Sequence, residues 1–257
     1  MNVFVKNSSG EKIAILVEGL ENKNHKKLAF VQHGLSGHKG QSMVRQPTRA
    51  FLDNRFVVVT FDSRYSFGDS DGELEKATLT SFIEDLNAVI NWAKTQDFYV
   101  EPFALSGHSL GGASVLKYAQ DHPHMVSSLV PVAAMVGGKY FIRSRLLNDG
   151  VNYRKWQREG KELRQIKDRK GYVSFNVVKD MMNYDLVRGA SKIVSSTLIV
   201  TGENDLSSTI YNNDCLFYNI YAPKEFAILE NCAHLYESKQ NQQDLYSIIK
   251  NWLEKNV

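Results

Sequence analysis

Short runs of apolar residues alternate along the chain with longer segments whose apolar residues recur every three or four positions. Continuous runs such as RFVVVTFD at 55–62 favour strands that are buried on both faces of a parallel sheet. The pattern predicts eight strands, at 3–6, 12–17, 26–34, 55–62, 98–107, 127–135, 195–205 and 225–230.

Helical spacing fills several of the gaps between these strands. Residues 81–84 (SFIE) have the form of a capping box, and apolar residues follow at 82, 86, 89, 90 and 93. Further helices are predicted from about 110 to 120 and at the C-terminus. Because strands alternate with helices, we expect an α/β protein with a mostly parallel, eight-stranded sheet covered by helices on both sides.

One region interrupts this alternation. The segment 136–191 has no buried-strand pattern, and residues 139–171 contain 11 Lys and Arg against 4 Asp and Glu, a local charge of +7. The rest of the chain holds 20 basic and 24 acidic residues. We therefore expect an α/β core at 1–135 and 192–257, with 136–191 inserted as a small cap over the sheet.

Composition narrows the possible functions. The net charge of +3 at pH 7 is too small to indicate a nucleic-acid partner, and the two cysteines cannot form a disulfide framework. The first residues lack the basic start and apolar stretch of a signal peptide, and no run of about 18 apolar residues predicts a membrane span. The expected location is the cytoplasm.

The motif with the clearest chemical meaning is Gly107-His108-Ser109-Leu110-Gly111, between a predicted strand and a predicted helix. A strand that turns directly into a helix leaves little room for side chains, and glycines on both sides of the turn provide it. The helix N-terminus directs N–H groups at developing negative charge. This G-x-S-x-G pattern is the nucleophile elbow, so Ser109 is the predicted nucleophile.

A serine hydroxyl needs a general base. In hydrolases with this elbow the base follows the serine, near the end of a later strand. His122 and His124 lie at the far end of the elbow's own helix, whereas His234 follows the strand predicted at 225–230. His234 is therefore the predicted base.

The base needs an orienting carboxylate, which should follow the preceding strand. The stretch TLIVTGENDLSS offers Asp205 and Glu203, of which Asp205 is the predicted acid. Asp214 is an outside candidate, since it falls within the next helical pattern. A thiol mechanism through Cys232, two residues before His234, is not favoured beside a serine on an elbow.

The oxyanion formed during acyl transfer requires two N–H donors. The first is expected from Leu110, the residue after the nucleophile. The second is expected from Leu35, in the loop HGLSGHKG after an early strand, where Gly34 lets the backbone approach the substrate. His33 is expected to hold this loop rather than to transfer protons.

The chain resembles the α/β-hydrolase superfamily in five stretches that occur in the same order, HGLSGHKG, FDSRYSFGDSDG, GHSLGG, GENDLSS and NCAHLY. More narrowly, it resembles the bacterial cinnamoyl (feruloyl) esterases and related serine hydrolases that include the monoacylglycerol lipases. The patterns H-G-x-x-G-x-K and D-x-R-x-x-x-G-x-S-x-G carry this narrower likeness.

The resemblance implies a serine carboxylesterase that cleaves short-to-medium acyl or aryl, hydroxycinnamoyl-type esters through an acyl-enzyme, with no cofactor and no metal. It assigns Ser109, Asp205 and His234 as the catalytic triad, and Leu35 and Leu110 as the oxyanion donors. The expected partner is a small-molecule ester, and a homodimer is the candidate assembly.

The inserted cap is expected to shape the acyl or aryl pocket. Gly34, His108, Tyr140 and Trp156 are the expected substrate contacts, and further apolar cap residues could line the pocket or pack the cap onto the core, namely Phe141, Phe175, Met181 and Met182. The basic charge of the cap could favour anionic esters or an anionic membrane surface, or could simply be a solvated face.

Three alternatives remain open from the sequence. The same triad could hydrolyse amides or peptides, or it could act on thioesters of a carrier or of coenzyme A, with the basic cap binding phosphates. A non-catalytic binding module is disfavoured by the intact order of Ser109, Asp205 and His234.

Overall fold

The structure is a computed structural model that describes residues 1–21, 27–166 and 168–257. Residue 26, the first of one predicted strand, and residue 167, within the basic segment, lie outside the described residues. No helix in the described part of the chain has the length and apolar character needed to cross a membrane.

The strands form one large sheet and one hairpin. Their bounds are β1 (Asn2–Lys6), β2 (Lys12–Glu18), β3 (Leu28–Gln32), β4 (Val57–Asp62), β5 (Phe103–His108), β6 (Val126–Val132), β7 (Lys161–Ile166), β8 (Arg169–Ser174), β9 (Ser196–Gly202) and β10 (Lys224–Leu229). The large sheet has eight strands in the order β1-β2-β4-β3-β5-β6-β9-β10. In this sheet β2 pairs antiparallel with both of its neighbours, β1 and β4. The other six strands, β4, β3, β5, β6, β9 and β10, are parallel to one another. The predicted fold class is confirmed.

Helices cover both faces of the sheet. Their bounds are α1 (Ser42–Asp53), α2 (Leu79–Ala93), α3 (Leu110–Asp121), α4 (Gly138–Glu159), α5 (Asn176–Met181), α6 (Ile210–Asn219) and α7 (Lys239–Asn256). Alternate strand residues point to opposite faces, so Leu28 and Phe30 of β3 join the layer with α2 and α3, while Ala29 and Val31 join the layer with α1 and α7.

The parallel strands bring distant parts of the chain to one edge of the sheet. Leu35 follows β3, Ser109 follows β5, Asp205 follows β9 and His234 follows β10. Carboxyl ends of parallel strands lie at the same edge, where open α/β sheets bind their ligands. The topology therefore gathers all four predicted site positions.

The inserted segment lies between β6 and β9 and contains α4, the antiparallel hairpin β7–β8 and α5. Helix α4 bends at Asp149, whose φ of −153° and ψ of 47° are not helical. Buried residues of the segment, including Phe141 and Trp156, join the apolar layer on the α2–α3 face. The role of this segment as a cap and its predicted boundaries at 136–191 remain a prediction.

The capping box predicted at residues 81–84 is wrong. Helix α2 begins three residues earlier, where the Thr78 hydroxyl accepts from Ser81 N at 3.0 Å and the Ser81 hydroxyl accepts from Thr78 N at 3.0 Å. Ser81 thus supplies the reciprocal bond of the box. The Glu84 carboxylate instead pairs with Arg64, 2.9 Å from Nη2.

Helix α1 and the hairpin β7–β8 are not among the predicted elements. Pro47 lies inside α1, and proline disfavours helix interiors, so the sequence pattern argues against the helix that tertiary packing of Val44 and Phe51 produces. The hairpin strands alternate exposed and half-buried residues and carry many charges, which hides them from a search for buried strands.

Candidate active site

Ser109 sits in a strained backbone conformation between β5 and α3. Its φ of 55° and ψ of −113° lie outside the regions that non-glycine residues usually adopt. Its N–H donates to Val132 O at 3.0 Å, and its carbonyl accepts from Met135 N at 3.0 Å. Because β6 and the turn after it hold both backbone groups, the strain is maintained by the surrounding fold.

The motif glycines make this turn sterically possible. A Cβ on Gly107 would lie 2.4 Å from the carbonyl oxygen of Gly111, and a Cβ on Gly111 would lie 2.3 Å from the carbonyl oxygen of His33. The contacting atoms are backbone atoms of the sheet and the elbow, which cannot easily move. The G-x-S-x-G spacing is thus explained by close packing of the helix start against β3 and β5.

The three residues predicted as the triad are joined by hydrogen bonds. His234 Nε2 lies 2.9 Å from Ser109 Oγ, and His234 Nδ1 lies 2.7 Å from Asp205 Oδ2. The Asp205 side chain is fully buried, whereas 21% of the His234 side chain is exposed. This arrangement has the order and distances of a nucleophile, a base and an orienting carboxylate.

The backbone orients the carboxylate of Asp205. Its Oδ1 accepts from Ser207 N and Ser208 N, each at 2.8 Å, which leaves Oδ2 directed at His234. The alternative acids lie elsewhere. Glu203 accepts from Asn231 N at 2.9 Å, and Asp214 lies on α6.

The loops that carry the acid and the base are tied together. Asn204 N donates to Cys232 O at 2.9 Å, and the Glu203 carboxylate holds the loop after β10 through Asn231 N. Cys232 is completely buried, and burial raises the pKa of its thiol to about 11. Cys232 therefore stays protonated near neutral pH and packs the loop rather than acting as a nucleophile.

His108 holds the backbone of His234. Its Nε2–H donates to the carbonyl oxygen of His234 at 2.9 Å, and the two rings lie 4.9 Å apart between centroids. Burial lowers the pKa of His108 to about 3, so the ring is neutral in the working range of pH. His108 also borders the site cavity. Its Nε2–H is already bonded to the carbonyl oxygen of His234.

His33 and Lys39 hold the loop that carries Leu35. His33 Nε2 accepts from Ser63 N at 2.8 Å, so its Nδ1–H is the group that donates to Gly34 O at 2.7 Å. Burial lowers the pKa of His33, which keeps the ring neutral. Lys39 Nζ lies 2.6 Å from the buried carboxylate of Asp62 at the end of β4. His33 and Lys39 of the H-G-x-x-G-x-K pattern thus hold this loop together with Asp62, the first residue of the D-x-R pattern.

The two backbone N–H groups predicted for the oxyanion flank Ser109. Leu110 is the first residue of α3, so its N–H has no acceptor within the helix. Gly34 packs the Leu35 loop against the elbow so closely that a Cβ there would lie 3.0 Å from Ser109 Cβ. Gly34, Leu35 and Leu110 all border the same cavity as Ser109 and His234.

This cavity has a volume of about 200 Å³. The inserted segment forms much of its wall, with Phe141, Trp156 and Met181 as apolar contributors. The indole N–H of Trp156 donates to Val173 O at 3.0 Å, which fixes the ring in the wall. The predicted contacts Gly34, His108 and Trp156 therefore border the cavity.

Tyr140 does not border the cavity, contrary to the prediction that it contacts substrate. It precedes Phe141 on α4, and consecutive helical residues point about 100° apart, so only Phe141 faces inward. Tyr140 packs partly buried against the core layer. Phe175 packs against the Trp156 ring at 5.3 Å, and Met182 is 44% exposed.

Two arginines of the inserted segment, Arg145 and Arg164, also border the cavity, and sequence reasoning did not single them out. Both belong to the basic stretch 139–171. The charge count marked that stretch. Which of its side chains face the cavity depends on the bend in α4 and on the hairpin β7–β8. The sequence pattern predicts neither of these two features.

A family model described as serine aminopeptidase, S33, matches residues 23–238, which is most of the chain. The chain belongs to the S33 serine aminopeptidase family. One relative in sequence is an uncharacterized 31.7 kDa protein from the traX-finO intergenic region of Escherichia coli. It is 31% identical to this chain over 139 residues, and the match covers 53% of this chain and 47% of that protein. Another relative is the putative carbamate hydrolase RutD of Escherichia coli O157:H7. It is 29% identical to this chain over 122 residues, and the match covers 45% of this chain and 44% of RutD. The matches span about half the length of these relatives.

Solved structures share the fold of this S33-family chain over nearly its whole length. Est1E from Butyrivibrio proteoclasticus, with ferulic acid bound, superposes with a TM-score of 0.81 at 19% identity, over 99% of this chain and 98% of that one. The α/β-hydrolase domain-containing protein 10 from mouse superposes with a TM-score of 0.78 at 15% sequence identity, over 99% of each chain. The esterase domain of a Rhodothermus marinus protein superposes with a TM-score of 0.72 at 22% sequence identity, over 98% of this chain and 96% of that one. The chain thus has the α/β-hydrolase fold.

Replacing Gly111 by alanine should destabilise this S33-family protein by roughly 3 kcal/mol, because the new Cβ would clash with backbone oxygens of β3 and His33. Urea denaturation followed by circular dichroism measures the change. Gly150→Ala is the matched control, since a Cβ there has nothing within 4 Å. Equal stability of the two variants would contradict the close packing of the elbow.

Replacing His108 by glutamine should flatten the dependence of stability on pH. The folded pKa of His108, about 3, lies below the ordinary 6.5, so its contribution is complete above pH 6.5 and is lost as pH falls towards 3. Between pH 7 and pH 5 the wild type should lose about 2 kcal/mol through this residue, a loss that His108→Gln lacks.

Urea denaturation at both pH values measures this difference. His122→Gln is the control, because the exposed His122 ring is hydrated in both the folded and the unfolded chain. If the His108 and His122 variants lose the same stability as the wild type on acidification, His108 is not held neutral by the fold.

Proposed function

We propose that this protein is a serine carboxylesterase that hydrolyses short-to-medium acyl or aryl esters through an acyl-enzyme. The observation that carries the proposal is the chain of hydrogen bonds from Asp205 through His234 to Ser109 Oγ, at 2.7 and 2.9 Å, on a strained elbow that borders a cavity. In this proposal Ser109 is the nucleophile, His234 the general base and Asp205 the orienting carboxylate.

In the first step, Ser109 Oγ attacks the ester carbonyl while His234 Nε2 takes the hydroxyl proton. Because Asp205 Oδ2 accepts from His234 Nδ1–H, the lone pair on Nε2 faces the serine, and the charged imidazolium that forms is stabilised. The N–H groups of Leu35 and Leu110 donate to the oxyanion. Each such donor typically contributes about 2.7–4 kcal/mol to transition-state stabilisation.

In the second step, the imidazolium of His234 returns its proton to the departing alkoxide, which leaves as an alcohol. Water then attacks the acyl-enzyme carbonyl, again with His234 as base, and releases the acid and free Ser109. His108 keeps the backbone of His234 in place throughout and, being neutral, adds no charge that would oppose the imidazolium. It is a positioning residue.

The cavity supports small acyl or aryl groups as substrates. Its volume of about 200 Å³ and its walls of Phe141, Trp156, Met135 and Met181 suit a short apolar or aromatic group. The ferulic acid bound by Est1E, which shares the fold, is a group of this kind. We propose that the inserted segment 136–191 is the cap that closes over this group. A cytoplasmic location and a homodimer stay predictions.

Amide or peptide hydrolysis is the second candidate, because the family model is described as a serine aminopeptidase. An aminopeptidase must accept the positively charged N-terminus of a peptide, which favours a carboxylate in its pocket. Among the described residues that border the cavity, Arg145 and Arg164 are the side chains with a permanent charge, and no Asp or Glu borders it. This lining favours an ester over a peptide N-terminus.

Replacing Asp205 by asparagine should lower kcat for 4-nitrophenyl butyrate and methyl ferulate by about 10⁴-fold. The amide oxygen would accept from Ser207 N and Ser208 N, so the amide NH₂ would donate to His234 Nδ1. The proton of the neutral ring would then reside on Nε2, which could no longer accept the proton of Ser109.

Steady-state kinetics on both esters, on the matched thioester and on an aminoacyl nitroanilide measures this effect. Glu203→Gln is the matched control, because Glu203 contacts the Asn231 backbone rather than His234. Ser109→Ala should lose at least as much activity as Asp205→Asn. Full activity of Ser109→Ala would refute the proposed nucleophile, and faster turnover of the nitroanilide than of the esters would favour the peptidase.

A further inference from the structure

Two guanidinium groups lie in the wall of the site cavity. Arg145 comes from α4 and Arg164 from β7, and both border the cavity that contains Ser109 and His234. Only 14% of the Arg145 side chain and 37% of the Arg164 side chain are exposed. The reaction proposed above uses neither residue, so their presence beside the reacting serine requires another explanation.

Each arginine has one edge held by an acid and another edge without a partner. Arg145 Nη2 lies 3.4 Å from Asp149 Oδ2, and Arg164 Nη2 lies 3.0 Å from Glu162 Oε2. The Nε–H groups of both arginines are buried and find no acceptor among the described residues. A guanidinium carries five N–H donors, so each arginine that borders the cavity keeps further donors, beyond the edge that its acid holds, for the acceptor of a ligand.

The cavity has no acid of its own to satisfy these donors. Asp149 and Glu162 do not border it, and no other carboxylate does so among the described residues. The remaining wall is largely apolar, with Phe141, Trp156 and Ile166. Such a cavity matches a ligand with an apolar or aromatic body and one anionic group, because the planar guanidinium pairs with carboxylates through two parallel hydrogen bonds.

We propose that the physiological substrate is an ester that carries a carboxylate several bonds from the scissile carbonyl, and that Arg145 and Arg164 bind this carboxylate. This inference rests on the proposed esterase function and names its substrate class. The carboxylate can belong to the acyl group, as in the half-ester of a dicarboxylic acid, or to the alcohol. Both share the same recognition chemistry, and the experiment distinguishes them.

The test compares kcat/KM for matched pairs of substrates that differ only in charge. For the acyl side, the pair is 4-nitrophenyl hydrogen suberate and its primary amide, 4-nitrophenyl suberamate. For the alcohol side, the pair is the acetate ester of 4-hydroxyphenylacetic acid and that of 4-hydroxyphenylacetamide. The wild type should prefer the anionic member of one pair by at least about tenfold, the usual contribution of a charge-assisted hydrogen bond.

Arg145→Met and Arg164→Met should each reduce this preference, and the double variant should abolish it, with kcat/KM for the neutral member of each pair as that variant's own reference. Methionine keeps the length and the apolar packing of the arginine stem. Arg145→Lys should retain part of the preference, since it keeps the charge but not the fork. Arg158→Met is the matched control, because Arg158 lies on α4, is 74% exposed and does not border the cavity.

The outcomes separate the two proposals. A preference in either pair that the Arg145 and Arg164 variants lose supports the inference and assigns the carboxylate to one side of the ester. Ser109-dependent hydrolysis with no preference in both pairs, or a preference that Arg158→Met removes equally, overturns the inference and leaves the esterase in place. If no ester of either pair is hydrolysed in a Ser109-dependent way, the proposed function itself fails.

Discussion

The site depends on the backbone of Ser109, which is held at φ 55° and ψ −113°. Conformations of this kind cost about 1–3 kcal/mol and persist only where neighbouring structure imposes them. Here β6 and the turn after it bond both backbone groups of Ser109, and the elbow glycines let α3 start directly against β3 and β5. The hydroxyl is thereby aimed at His234 without help from side-chain packing, and the start of α3 places the Leu110 N–H beside it.

The other residues of the site are held in place around the Ser109 hydroxyl. The loops after β9 and β10 are linked by the bond from Asn204 N to Cys232 O and by the bond from Asn231 N to the Glu203 carboxylate, so the loops of Asp205 and His234 are held together. Two buried histidines, His33 and His108, brace the loops on either side of Ser109. Burial keeps both rings neutral, so they can donate to backbone carbonyls without placing a second positive charge beside the reacting base.

The sequence predicts the parts of this protein whose physical signal is local. Alternating and continuous apolar runs located the eight strands of the sheet, and the elbow glycines located Ser109 because steric crowding at that turn excludes other residues. Elements that depend on tertiary contacts were missed. Helix α1 forms around Pro47, and the start of α2 is decided by Thr78 rather than by the acidic signature at Glu84. Tyr140 and Phe141 are equally plausible in sequence, and only the rotation of α4 separates them.

The proposed reacting groups and the cavity wall lie on different kinds of structure, which makes the reaction easier to infer than the substrate. The proposed reacting groups follow the ends of parallel strands, whose edge is defined by sheet hydrogen bonds. The wall comes from a bent helix and a half-exposed hairpin, where Arg145 and Arg164 border the cavity, each give one edge to a neighbouring acid, and each have an Nε–H without an acceptor among the described residues. Holding unsatisfied donors there weakens the free protein. In our proposal the other N–H groups of these guanidinium groups bond the substrate carboxylate, and this contact gives the site its specificity.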